Sequence, residues 1–504
     1  MKQIYAFLWL LLICQQLIAQ KKGMVPVGNQ LPIGTERRLA LIVGNKDYQN
    51  PDAVLKNPIN DAIAMRNALQ KLGFDVLYYN NLDRVAFEKA IDDFGVKLNN
   101  YNVGLFYYSG HGIQAQGENY LVPIDANIIG TEAVVNYTCV NMGRVLGLME
   151  GSKAETNLVF LDACRNNPFK KSWGNKGEIQ RGFAIPRNPP GTCVVYATSA
   201  GATADDNVAS TNGLFTENLL QYLSIPNMSL SSILNGTRKE VYKKSNKTQL
   251  PEDHVKLLGD FYFLVSRDAP KPVPVHSEIN SYKKIALVIG NANYTSGPLL
   301  INATNDADSM EVVLKKSGYE VIKMKNLSKI ELRKAIVSFN DKLSSYSEAL
   351  VYYSGFGLVY DGQATIISTD FKNEAFDTEV TLKEVFAESN ANRRDLTKII
   401  IWDSCLGTQS KVETAPDFNI PQIKNSIYLF ATAVGGVAMD GYNSGRNGLF
   451  TSVLLQQLAI PNQRIQQIAI NTRNKVRELS DNKQVPFSWE NLYNEVVFLK
   501  RTDR

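Results

Sequence analysis

Residues 103–112 read VGLFYYSGHG, and residues 158–164 read LVFLDAC. Each opens on an apolar run, as expected of a strand buried on both faces of a sheet. Each run then ends in residues that carry chemistry: Ser109-Gly110-His111-Gly112 after the first, Asp162-Ala163-Cys164-Arg165 after the second. In sheets built of parallel strands, sites gather beyond the carboxyl ends of the strands. If these two strands are parallel neighbours, His111 and Cys164 emerge at one edge of the sheet. A cysteine needs a base or a cationic neighbour to form thiolate near neutral pH. Taken singly, His111 suits a turn and Cys164 a small core position. Taken together, with glycines that permit tight turns and close approach of a substrate backbone, they suit nucleophilic catalysis. The amides of Gly112 and Cys164 are then natural oxyanion donors.

Working outward, the pattern predicts further strands over Leu39–Val43, Phe74–Tyr79 and Cys193–Tyr196. Helices are expected over 61–72, 85–98, 215–223 and 231–243. The first carries apolar residues at Ile63, Met65, Leu69 and Leu72 and stops at Gly73, a helix signature with a glycine terminator. This alternation implies an α/β fold: a mainly parallel sheet with helices on both faces. The whole pattern then recurs. RRLALIVGNKDY (37–48) matches KKIALVIGNANY (283–294), GLFYYSGHG matches ALVYYSGFG (349–357), and LVFLDAC matches IIIWDSC (399–405). NGLFTENLLQYLSIPN (212–227) likewise matches NGLFTSVLLQQLAIPN (447–462). Copies this long are a duplicated domain, not a solenoid. We expect one domain over 37–265 and a second over 283–500. Between them, residues 266–282 carry Pro270, Pro272 and Pro274, an extended linker.

SGHG after one apolar strand and D-x-C after the next, some fifty residues on, resembles the caspase-like cysteine peptidases, and the histidine-to-cysteine spacing agrees with theirs. ALIVGNKDY, NDA, GLFYYSGHG, YLVPIDA and FLDAC are similar to segments of the paracaspase and metacaspase branch. The resemblance implies a caspase-like fold duplicated in tandem and hydrolysis of peptide bonds, with His111 as general base and Cys164 as nucleophile. It also implies a primary specificity pocket lined by Asp61, Asp162 and Asp206. Paired carboxylates there would select protein or peptide substrates with Arg or Lys at P1. The plainer alternatives are a helix cap for Asp61 and a solvated loop for Asp206. The QACRG motif of peptidases that cut after Asp is absent. In the second copy Phe356 stands where His111 would, while Cys405, Asp306, Asp403 and Asp440 keep the other positions. This copy reads as an inactive relative, a regulatory or dimer-like partner that pairs within one chain or between two. His254 aligns with Trp489, which favours packing over chemistry. Two other readings remain: a binding or scaffold protein that has lost turnover, and a clostripain- or gingipain-like peptidase.

The 504-residue chain carries a net charge of +5, spread along its length. No basic run is interleaved with aromatics, which argues against nucleic-acid binding. With three histidines and no Cys-x-x-Cys, a zinc site has no support, and no calcium-loop signature occurs. The expectation is an enzyme without metal or organic cofactor. Residues 1–20, with Lys2, an apolar run over Ile4–Ile13 and Ala19, have the form of a secretory signal peptide. The alternative, a membrane anchor, needs about 20 apolar residues. No later segment is apolar enough to span, so an exported protein is expected. The segment after Cys164 bears Lys170, Lys171, Lys176, Arg181 and Arg187; it suits self-cleavage, or is a solvated basic loop.

Overall fold

The computed structural model describes residues 36–115, 118–128, 132–164, 189–199, 204–207, 210–266, 283–295, 299–360, 362–372, 379–408, 418, 420–421, 423–441, 445–492 and 495–499. The expected signal peptide, the linker from residue 267 and the basic segment after Cys164 lie outside these residues. Residues Arg37–Arg504 form one compact unit that contains both copies.

In the first copy the apolar runs become β1 (Arg38–Gly44), β2 (Phe74–Asn80), β3 (Val103–Ala115), β6 (Thr156–Cys164) and β7 (Thr192–Tyr196). All are parallel, in the spatial order β7-β6-β3-β1-β2. Helices α1 (Pro58–Lys71), α4 (Leu214–Leu223) and α5 (Leu230–Lys244) cover one face, and α2 (Arg84–Leu98) and α3 (Met142–Gly151) the other. The alternation of side chains along each strand sorts the core. Ala40 and Ile42 meet Met65, Phe215 and Ile233. Leu41 and Val43 meet Phe87, Phe94 and Leu146.

The second copy repeats the plan with β9 (Lys284–Gly290), α6 (Ala303–Lys316), β10 (Tyr319–Lys325), α7 (Lys329–Lys342), β11 (Glu348–Ser354), β15 (Thr397–Asp403), β17 (Ser426–Phe430), α8 (Leu449–Leu458) and α9 (Ile465–Leu479). Each copy adds one short antiparallel strand, β8 (Glu252–Val255) or β18 (Phe487–Glu490), and these two strands pair with each other. The copies therefore share one continuous sheet in the order β10-β9-β11-β15-β17-β18-β8-β7-β6-β3-β1-β2. No helix among the described residues is long and apolar enough to cross a membrane.

One local expectation is corrected. The sequence suggests that β3 ends at Tyr108 and that the glycines turn the chain. Instead β3 runs through Ser109-Gly110-His111-Gly112 to Ala115. It then forms a hairpin with β4 (Glu118–Leu121), which carries β5 (Val140–Asn141) on its other side. Gly110 is there for space: a Cβ at this position would lie 2.6 Å from the Tyr108 hydroxyl and 2.7 Å from that of Tyr48.

Candidate active site

The parallel register of β3 and β6 sets Ser109 opposite Asp162, Gly110 opposite Ala163 and His111 opposite Cys164. His111, within β3, and Cys164, the last residue of β6, are thus backbone neighbours. His111 is buried and its backbone is clamped. The His111 amide donates to the Tyr48 hydroxyl at 2.8 Å, and the Tyr108 hydroxyl donates to the His111 carbonyl at 2.8 Å. The ring packs against Tyr48, with centroids 4.7 Å apart and a tilt of 48°. Nε2 lies 2.7 Å from the carbonyl oxygen of Ala53. That oxygen can only accept, so the ring proton sits on Nε2 and Nδ1 keeps the lone pair. Burial lowers the imidazole pKa from its ordinary 6.5, and the bond to Ala53 opposes this only in part. The ring is consequently neutral at pH 7, the state a base requires.

Three acids gather beside this pair. Asp61, from the first turn of α1, accepts hydrogen bonds from the Asn212 side chain (2.9 Å), the Gly213 amide (2.9 Å) and the Ser109 hydroxyl (3.1 Å). It is therefore not the cap of its helix, a position held by Asn57. Asp162 accepts from the Thr216 hydroxyl at 2.6 Å, and that hydroxyl also contacts the Tyr107 hydroxyl at 2.5 Å. Both carboxylates point at Gly213, where an added methyl would sit 3.1 Å from Asp61 Oδ2 and 3.3 Å from Asp162 Oδ2. The Asp206 carboxylate accepts from the amides of Lys56 (2.7 Å) and Asn57 (3.1 Å), and its carbonyl accepts from the Asn57 side chain. This loop is bonded down, not merely solvated.

Among the described residues, no Lys or Arg pairs with any of the three acids. Burial raises the pKa of Asp61 to about 6, with Asp206 adding to the rise. Burial and then the neighbouring Asp61 raise that of Asp162 to about 8. Two carboxylates in one dry site resist joint ionisation unless a cation joins them.

The second copy reproduces this cluster bond for bond. Asp306 accepts from Asn447 (2.9 Å), the Gly448 amide (3.0 Å) and Ser354 (3.0 Å), and Asp403 accepts from Thr451 at 2.5 Å. Asp440 accepts from the amides of Ile301 (2.6 Å) and Asn302 (3.2 Å). Phe356 fills the histidine's place, its ring 4.5 Å from Tyr294 at a tilt of 45°. Cys405 accepts from the Ala438 amide at 3.3 Å. The sequence reading overlooked the neutral residues that hold the acids: Ser109, Asn212 and Thr216. Asn212 and Thr216 belong to the N-G-L-F-T motif, present in both copies at 212–216 and 447–451, and Ser109 to the Y-Y-S-G motif at 107–110 and 352–355.

Comparison with known proteins gives the family. Residues 37–262 and 283–497 both match the Caspase domain family. This chain belongs to the caspase-domain family. Mucosa-associated lymphoid tissue lymphoma translocation protein 1 of Homo sapiens is 30% identical over 181 residues, which are 35% of this chain and 20% of that protein. A probable protease of a Desulfuromonadales bacterium is 24% identical over 216 residues, 36% of this chain and 25% of that one. The chain thus spans only a fifth to a quarter of the length of these curated relatives. A crystal structure of caspase-1 from Spodoptera frugiperda covers 47% of the chain at 18% identity with a TM-score of 0.37. The caspase domain occurs here in two tandem copies.

Proposed function

We propose that the first caspase domain is a cysteine endopeptidase that cuts after Arg or Lys. The observation that carries this reading is the register that sets His111, within β3, opposite Cys164, the last residue of β6. In the proposed reaction, Nδ1 of His111 takes the Cys164 thiol proton while Nε2 stays anchored on Ala53. The thiolate attacks the scissile carbonyl, and the amides of Gly112 and Cys164 stabilise the oxyanion. His111 returns the proton to the departing amine as the C–N bond breaks, leaving a thioester. Water, deprotonated by His111, then hydrolyses the thioester and restores the thiol. The P1 cation would seat between Asp61 and Asp162, with Asp206 at the edge of the pocket. It would supply the positive charge that the acid pair lacks. The second copy, with Phe356 in place of the base, would not turn substrate over. Export through residues 1–20 completes the proposal, and N-terminal sequencing of the exported protein tests it.

Fluorogenic peptides that differ only at P1 test the enzymatic reading. Arg and Lys substrates should be cut and Asp substrates should not. Both Cys164→Ala and His111→Ala should abolish turnover, because base and nucleophile act as a unit. Undiminished cleavage by either variant would refute the assignment. Asp162→Asn should lower the preference for Arg over Ala at P1 by a factor on the order of 100 or more, since one partner of a buried ion pair is removed.

A further inference from the structure

The seam between the copies has two-fold character. Arg238 Nε donates to the Pro251 carbonyl at 3.0 Å, and its counterpart Arg473 donates to the Pro486 carbonyl at 2.9 Å. Each arginine then crosses to the other copy: Arg238 to the carbonyl of Leu492, Arg473 to that of Leu257 (2.5 Å). Both arginines are buried. The antiparallel register puts His254 opposite its own counterpart Trp489, which marks the axis. A contact in which residue i meets j and j meets i is the mark of an isologous dimer interface.

The residues on that axis are nevertheless unlike. His254 packs on Trp489 with ring centroids 6.1 Å apart. Two first copies would place two imidazoles there and leave a gap; two second copies would place two indoles and overfill it. Arg464 is the counterpart of Ser229 in the repeat, and these two also meet. Arg464 donates to the Ser229 hydroxyl at 3.0 Å and to that of Ser232. Pairing second copies would bring Arg464 against Arg464, a like-charge penalty of the kind that enforces partner choice.

The seam also reaches the site. Among the described residues, the sheet partners of β8 are β7 and β18. Three residues before β8, buried Gln249 donates to the Ala197 carbonyl at 2.8 Å and accepts from the Asp205 amide at 2.9 Å. One residue on, the Leu250 carbonyl accepts from Ser199 at 3.0 Å. The loop that carries Asp206 is therefore tied to the strand that the second copy holds. Without β18, β8 would be a four-residue edge strand exposing Glu252, Asp253 and His254.

We infer that the second copy is the dedicated, tethered partner of the first, and that it positions the Asp205–Asp206 loop through β18, β8 and Gln249. Gln249 is a positioning residue. The kinetic part of this inference rests on the peptidase reading; the structural part does not. The test uses the full chain and two variants, Trp489→Ala and Gln249→Ala. Hydrogen exchange should speed up at 250–257 and 204–207 in Trp489→Ala. In Gln249→Ala it should speed up at 204–207 while 252–255 stays protected, and β1 should be unchanged in both. KM for an Arg peptide should rise about fivefold or more in both, with kcat within about twofold, as for a coupled positioning effect. Light scattering should find wild type monomeric. Faster exchange at β8 with none at 204–207 would overturn the coupling, and a wild-type dimer joined through like copies would overturn the pairing. If Trp489→Ala fails to fold, Arg464→Ala at the half-buried rim takes its place with the same expected pattern. If wild type cuts no peptide, the peptidase reading fails while the exchange data still decide this inference.

Discussion

Asp61 and Asp162 are held where each opposes the other's ionisation, so their protons should be displaced by whatever cation binds between them. Their folded pKa values, about 6 and about 8, lie above the ordinary 3.8. The stability this lends is full below about pH 4 and is lost as pH rises through 6 to 8, because the folded state holds protons that the unfolded state has released. In the proposed pocket an arginine side chain would bind the ionised form. Its affinity should therefore strengthen from pH 5 to pH 8 and level off above. Thermal shift with an Arg-containing peptide on Cys164→Ala protein should grow over the same range, and a shift independent of pH would contradict the coupling. Gly110 supplies a second residue-scale prediction. Its Cβ would strike the hydroxyls that clamp His111, and Gly355 stands in the same relation to Tyr353 and Tyr294, at 2.5 and 2.7 Å. Gly110→Ala and Gly355→Ala should each cost about 1–3 kcal/mol in denaturant unfolding, as overpacking does, yet only Gly110→Ala should depress peptide cleavage strongly.

At the scale of elements, α4 does more than cover the sheet. Its third residue, Thr216, brings a hydroxyl to Asp162, and the preceding Gly213 amide is bonded to Asp61. Thr216→Val keeps the shape and removes the donor. It should destabilise by about 1–3 kcal/mol, the cost of a buried acceptor left unmet, and raise the Asp162 pKa further. Peptide binding would then require more alkaline pH, a displacement of the affinity profile that calorimetry can follow. The long apolar strands and amphipathic helices were legible in the sequence because burial writes itself as periodicity, and β1, β2, α2 and β7 fall within a residue or two of their expected limits. The continuation of β3 was not legible, because glycine reads as a turn when its use is to admit two tyrosine hydroxyls. Strands β4 and β5 are four and two residues long, too short for alternation to register. Strand β8 reads Glu-Asp-His-Val, a polar string that becomes interior only because Arg238 and the other copy cover it. Of the site, the charged and nucleophilic residues stood out by chemistry; the serine, asparagine and threonine that orient the acids did not, since such residues are common everywhere.

At the scale of the whole molecule, two sheets have become one. Because β8 and β18 are hydrogen-bonded and Arg238 and Arg473 cross between copies, the two cores should unfold together. Calorimetry of residues 37–504 within the full chain should give one main transition, with calorimetric and van't Hoff enthalpies equal. Two resolved transitions would mean that the copies are independent bodies. The aromatic sockets that hold His111 and Phe356 have a different consequence, one for descent. Tyr48 holds His111 and Tyr294 holds Phe356 at nearly the same spacing and tilt, so the socket is filled by a six-carbon ring as well as by an imidazole. The packing against tyrosine alone does not tell the two apart. What packing does not guard in the histidine is its hydrogen bond to Ala53 and, under the proposed reading, its role as base. If a duplicate is kept for the strand it lends its twin, the packing of its socket does not oppose exchange of that one nitrogen-bearing ring, and under the proposed reading a gene encoding two peptidase domains could become a gene encoding one peptidase and its scaffold without passing through an unstable ancestor.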